Sequence, residues 1–256
     1  MIQETLQLLR SASPLGALGF FLAANFVIFL TSTTGCWLMG QVFSKHRLFT
    51  KWEPFSKVEL AAAIGATTLN AIASLGGWFL WQADIIQLST STGISIALEL
   101  LLMLLVMDFG MYLLHRLAHH PSLYDKFHSF HHRHEVTNPI SLFILHPLEV
   151  LGFAGLMIAF LAVYPISIYA LILYLTLNVV FGTIGHSGVE PFPGVLRQIP
   201  LLKEVGTSTF HAEHHEHPAY NFGFYTLIWD RLFGTLDPEY WDRFLSARKR
   251  IKSVTP

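Results

Sequence analysis

GISIALELLLMLLVMDFGMYLLHRLAHH, residues 93–120, decides the fold. From Gly93 to Leu114 it is apolar almost throughout, about the 20 residues that cross a bilayer's hydrocarbon core. It then runs without a break into His115 and His119. Two imidazoles four residues apart share one helical face, so this span presents nitrogen ligands at a membrane surface. Asp108 and Tyr112 lie on the same face, deeper in the span. A carboxylate at that depth needs a partner. Asp108 reads as an acceptor that orients an imidazole, with a polar contact between helices as the alternative.

Working outward, three more apolar stretches appear. Leu15 to Met39 reads as a retained membrane anchor, and Val58 to Trp81 as a second span. Leu148 to Gly185 is divided by Pro165 into a hairpin of two spans, the first short for a full crossing. The expected fold is all-α: a polytopic membrane bundle of about five spans with a histidine-rich helical cap. Residues 1–92 form the N-terminal spans, and residues 93–256 carry the histidines. Composition agrees, at 52% hydrophobic and 13% charged residues, against roughly 25% charged in soluble domains.

The formal net charge is −1, and no basic stripe offers itself to nucleic acid. A single cysteine, Cys36, excludes an internal disulfide and a cysteine-based zinc ribbon. Loop charge gives the orientation. Lys45, Arg47, Lys51 and Lys57 face only Glu53 in the 41–57 loop, the 82–92 loop holds only Asp84, and the tail holds Arg243, Arg248, Lys249, Arg250 and Lys252. Positive loops stay cytoplasmic, which places the N-terminus outside and the C-terminus inside. All the histidine-rich segments then fall on one cytoplasmic face.

Those segments hold three boxes: His115-Arg-Leu-Ala-His119-His120, His128-Ser-Phe-His131-His132 and His211-Ala-Glu-His214-His215. Each of the last two reads as an i, i+3, i+4 set on one helix. One tetrahedral ion takes about four ligands, so three boxes point to a two-metal centre made almost wholly of imidazole. His186, isolated in Gly185-His186-Ser187-Gly188 on the same face, is a further ligand candidate. His120, His134, Glu213, Asn221 and Asp230 are candidates to support the ligands from behind, with Glu149 beside them. His146 and His217 read as structural, each preceding a proline. Imidazole suits both iron and zinc, so ligand type leaves the metal open.

The boxes occur together with His146-Pro-Leu-Glu149, Gly185-His186-Ser187-Gly188 and the run Asn221 to Thr235 containing Trp229-Asp230-Arg231-Leu-Phe-Gly234-Thr235. In this, residues 95–237 resemble the fatty acid hydroxylase/sterol desaturase superfamily. The resemblance implies an integral membrane oxidoreductase with two iron ions, which uses O2 and two electrons to hydroxylate or desaturate a lipid such as a sterol, fatty acyl chain or carotenoid. It implies His115, His119, His128, His131, His132, His186, His211, His214 and His215 as metal ligands. It makes 93–256 the catalytic region and implies a separate electron donor, a cytochrome b5-like protein, ferredoxin or reductase. The compact chain, without a retention-type tail, points to a bacterial inner membrane over the endoplasmic reticulum. Competing readings are a metal transporter and a di-zinc lipid hydrolase.

Overall fold

A computed structural model describes residues 2–49, 52, 54–133 and 135–249. His134, Lys51, Glu53, Arg250 and Lys252 lie outside the described residues. Four helices are long and apolar enough to cross a membrane: α2 (Pro14–Val42), α3 (Lys57–Gln82), α4 (Ile94–Ala118) and α7 (Ile168–Gly185). A fifth apolar helix, α6 (Pro147–Val163), has 17 residues. The five apolar runs of the sequence thus become five helices, the one before Pro165 being short as expected. The remaining helices are α1 (Ile2–Arg10), α5 (Pro121–Phe127), α8 (Ser208–Glu216), α9 (Ile228–Phe233) and α10 (Tyr240–Lys249).

Local chemistry sets the helix starts. Ser13 accepts from Gly16 N, with Pro14 in the first turn of α2. Ser56 and Glu59 form a reciprocal capping box at α3. His146 caps α6 by accepting from Leu148 N, while Glu149 Oε2 accepts from His146 N. That is the structural role its position before Pro147 predicts.

In the bundle α2 packs on α3 and α7, α3 on α6, and α4 on both α6 and α7. Met103, Met107 and Met111 of α4 meet Ala170, Leu171 and Tyr174 of α7 in the core. Leu98, Leu101 and Leu105 of α4 stay exposed, a surface suited to lipid. The chain is a multi-pass membrane protein.

The bundle has two distinct ends. At one, β1 (Leu88–Ser89) pairs in parallel with β2 (Ile166–Ser167), tying the α3–α4 connection to the α6–α7 turn. Ser167 N donates to Glu99 Oε2 at 2.6 Å there, and Trp78 Nε1 donates to the Leu9 carbonyl. At the other end, Leu48 N donates to the Gly188 carbonyl at 3.0 Å and Trp52 Nε1 to that of Ser187 at 3.3 Å. Leu48 and Trp52 therefore sit beside Gly185–Gly188, on the end of the bundle where loop charge groups them. The cap after α7 has its own core of Leu196, Phe210, Leu227, Tyr240 and Phe244.

One expectation needs correction. His128, His131 and His132 do not share a helix: α5 ends at Phe127, His128 is its C-cap, and His131 and His132 lie in a separate 3₁₀ turn. His131 faces away from His128 and His132.

Candidate metal centre

Nine buried or half-buried imidazoles converge at the capped end of the bundle, in two sets. His115, His119, His128, His132 and His214 form one, and His131, His186, His211 and His215 the other. Within each set every residue offers a nitrogen within 4.8 Å of the others. These are the nine histidines singled out in the sequence. α4 delivers His115 and its C-cap His119, the broken segment after α5 delivers His128, His131 and His132, the end of α7 delivers His186, and α8 delivers the rest.

Hydrogen bonds fix the rings. His115 Nδ1 donates to the Phe222 carbonyl at 2.9 Å, His214 Nδ1 to that of Tyr220 at 2.6 Å, and His131 Nδ1 to that of Ile144 at 3.1 Å. His128 Nδ1 donates to Glu149 Oε1. His186 Nδ1 donates to Ser141 Oγ at 2.8 Å, because that hydroxyl's own hydrogen goes to the Asn138 carbonyl. With Nδ1 occupied as a donor, each Nε2 is left as a lone pair.

This donor set fits metal ions. His115 Nε2 and His128 Nε2 stand 3.1 Å apart. Two lone pairs at that distance repel, and a cation between ligands turns the repulsion into coordination. Among the described residues, the buried Nε2 of His119 and His214 and both ring nitrogens of His132 have no hydrogen-bond partner. Leaving a buried polar atom unsatisfied costs about 1–3 kcal/mol, so several such nitrogens in one place call for an ion. Burial also lowers the imidazoles' proton affinity, His131 to about 4 and His119 to about 2. His128, His132, His186, His211 and His214 fall well below the ordinary range for the same reason. All of these rings are neutral at pH 7, the form that binds metal.

A single loop, 220–223, supports both α4 and α8. Asn221 holds it in the left-handed region at φ 61°, which Asn tolerates better than most residues. Its Nδ2 donates to the Phe210 carbonyl at 3.2 Å and its Oδ1 accepts from Asp237 N at 2.9 Å. Asp230 accepts from Phe222 N at 2.8 Å, Gly223 N at 2.7 Å and Thr235 Oγ1 at 2.7 Å. A Cβ at Gly223 would lie 2.5 Å from the Thr226 carbonyl oxygen, so only glycine fits. Asn221 and Asp230 therefore reach the histidines through backbone carbonyls.

Other candidates stand elsewhere. Asp108 accepts from Tyr225 N at 2.9 Å, Thr226 Oγ1 at 2.6 Å and Trp229 Nε1 at 3.1 Å, clamping the 225–229 segment to α4 and accepting from no histidine among the described residues. The depth of its partner-seeking carboxylate was legible, while the identity of the partner was not. Glu213 points to Arg243, 3.8 Å away, and burial raises its carboxyl to about 8. His120 is exposed and caps α5 by accepting from Ser122 N. His217 is the C-cap of α8, as its position before Pro218 suggests. Ser141 and the carbonyls of Ile144, Tyr220 and Phe222 are missed by sequence reasoning. A carbonyl leaves no mark on residue identity, and only the Asn138–Ser141 turn pattern hints at the serine.

Fold and site together define a helical membrane protein with two buried groups of imidazoles, each able to hold a metal ion. The family model described as Fatty acid hydroxylase matches residues 100–235. The chain belongs to that family. A Delta(7)-sterol 5(6)-desaturase of Eremothecium gossypii is 28% identical over 77% of this chain and 56% of its own length. A very-long-chain aldehyde decarbonylase of Oryza sativa subsp. indica is 33% identical over 55% of this chain and 24% of its own. Another decarbonylase of the same plant is 30% identical over 75% of this chain and 30% of its own. The chain thus spans from about a quarter to just over half of these relatives. No solved structure matches it.

Proposed function

We propose that this protein is a membrane oxygenase that holds two iron ions and uses O2 and two electrons to hydroxylate or desaturate a lipid. The observation that carries this reading is the sorting of nine imidazoles into sets of five and four, with no acid or cysteine in either among the described residues. Iron bound there supplies O2 activation for attack on an unactivated C–H bond. The chain's part is to hold each ring by its Nδ1 partner, to keep water out of a site roofed by the cap, and to bring a hydrocarbon chain alongside. Relatives named for sterol desaturation and aldehyde decarbonylation support a lipid substrate.

In this reading residues 93–256 are the catalytic region, and residues 1–92 supply spans that brace α6 and α7. His115, His119, His128, His132 and His214 hold one ion, and His131, His186, His211 and His215 the other. Asn221, Asp230 and Glu149 keep the ligands in place. Electrons arrive from a separate donor: a cytochrome b5-like protein, ferredoxin or reductase. Loop charge supports a cytoplasmic site with the N-terminus outside.

Transport needs polar ligands along a path through the spans. Asp108 and Glu99, the acids of α4, are each tied to backbone amides instead, which favours the oxygenase. The decisive experiment is Mössbauer spectroscopy on protein produced with iron-57, with total metal counted on the same sample. Two irons per chain with a coupled-pair signal are expected. Zinc alone, in protein prepared anaerobically from iron-replete cells, would overturn this reading in favour of a di-zinc hydrolase.

A further inference from the structure

α4 and α6 run antiparallel and are pressed together at Gly110, where a Cβ would lie 2.7 Å from Leu156 Cδ2. One turn further along α4, toward the histidines, they part. A Cβ at Gly152 of α6 would meet only Leu114 Cδ1, at 4.0 Å. The gap is a cavity of about 140 Å³, walled by Leu117, Phe127, Leu148 and Gly152, and it ends on His115 and Glu149. Its outer rim is open, since Leu117 and Leu148 are 55% and 52% exposed. Both Glu149 oxygens are already engaged, by His128 Nδ1 and by His146 N. The groove therefore offers a ligand apolar wall and no free polar partner.

We infer that this groove is the entry slot for a straight hydrocarbon chain from the surrounding leaflet, and that Gly152 sets its width. Three observations select the occupant. The walls are aliphatic and aromatic, the rim lies among residues suited to lipid, and the floor is His115 of the five-imidazole set with Glu149 beside it. Size narrows the class further. Pockets that enclose drug-sized molecules run to about 300–1,000 Å³. A slot well below that suits the flexible end of an acyl or alkyl chain better than a fused ring system. This deepens the lipid oxygenase reading and rests on it, and the test keeps the two apart.

The protein is reconstituted in phosphatidylcholine nanodiscs with palmitic acid carrying an alkyl diazirine near its methyl end. After illumination, labelled peptides are mapped by mass spectrometry. Labelling concentrated on 114–118 and 148–152, above the background at exposed Leu98 and Leu101, is the expected result. Gly152→Leu should remove most of that excess while bound metal stays unchanged. Leu114→Ala, which widens the slot, should raise it, and it decides the matter if Gly152→Leu does not fold. Labelling spread evenly over the exposed leucines, or unaffected by both substitutions, would overturn the slot. A diazirine sterol that labels the same peptides and displaces the fatty acid would overturn the choice of a straight chain. Protein that holds only zinc yet shows the groove labelling sinks the oxygenase reading and leaves the slot standing.

Discussion

His214 donates from Nδ1 to the carbonyl of Tyr220 at 2.6 Å, and two residues further on the Phe222 carbonyl receives His115 in the same way. One short loop thus aims a ring from α8 and a ring from α4 at the same point. Asn221, between the two carbonyls, is the residue on which that aim depends.

Asn221→Ala should therefore weaken metal binding without touching a ligand. It removes two side-chain hydrogen bonds, worth about 1 kcal/mol each, and puts alanine in a left-handed conformation. Asn221→Gly restores the backbone freedom but not the bonds. The thermal midpoint in detergent should fall in the order wild type, glycine variant, alanine variant, and metal counted after dialysis should fall with it. Full metal content in both variants would remove the loop from the support of the site.

His131→Ala and His132→Ala should each abolish turnover while removing ligands from different sets. Each variant should lose metal from the set that contained the missing ring. Mössbauer spectra of the two should differ, because the surviving site differs. Identical spectra would refute the division into five and four.

Glu149→Gln keeps an oxygen within reach of His128 Nδ1 but removes the charge that strengthens the bond. Carboxylates behind metal-bound histidines are commonly worth about 10–100-fold in affinity or activity. A loss of that size is expected in chelator competition. Unchanged affinity would reduce Glu149 to a helix cap for α6.

Asp230 gives a pH signature. Burial, partly offset by its three donors, raises its carboxyl from 3.8 to about 6 in the folded protein. The folded state holds this proton more tightly than the unfolded chain does. Its contribution to stability is therefore complete below about pH 4 and is lost as pH rises through 6, roughly 3 kcal/mol across the window. Asp230→Asn should lower the thermal midpoint overall and flatten its dependence between pH 4 and 6. An unaltered slope would assign the titration to another group.

Much of this site is legible in the sequence, because imidazoles at spacings of three and four residues are rare and are chemically committed. The spans are legible because lipid demands long apolar helices. What is hidden is whatever the backbone does. The break after Phe127 interrupts a spacing that reads as one helix, and nothing in Ser129-Phe130 announces it. Asp108 shows the other limit. Its need for a partner follows from its depth, but Tyr225 N, Thr226 and Trp229 lie more than a hundred residues away and are found only in the fold.

His131 and His132 are neighbours in the chain yet face different sets, and so are His214 and His215. Neither set can gather its rings unless segments that also feed the other are ordered. In the proposed two-ion centre the two sites are therefore coupled in loading: with every ligand in place, the first ion to bind arranges most of what the second requires, and little half-filled wild-type protein accumulates. Metal titration of the stripped protein should rise as a single cooperative step.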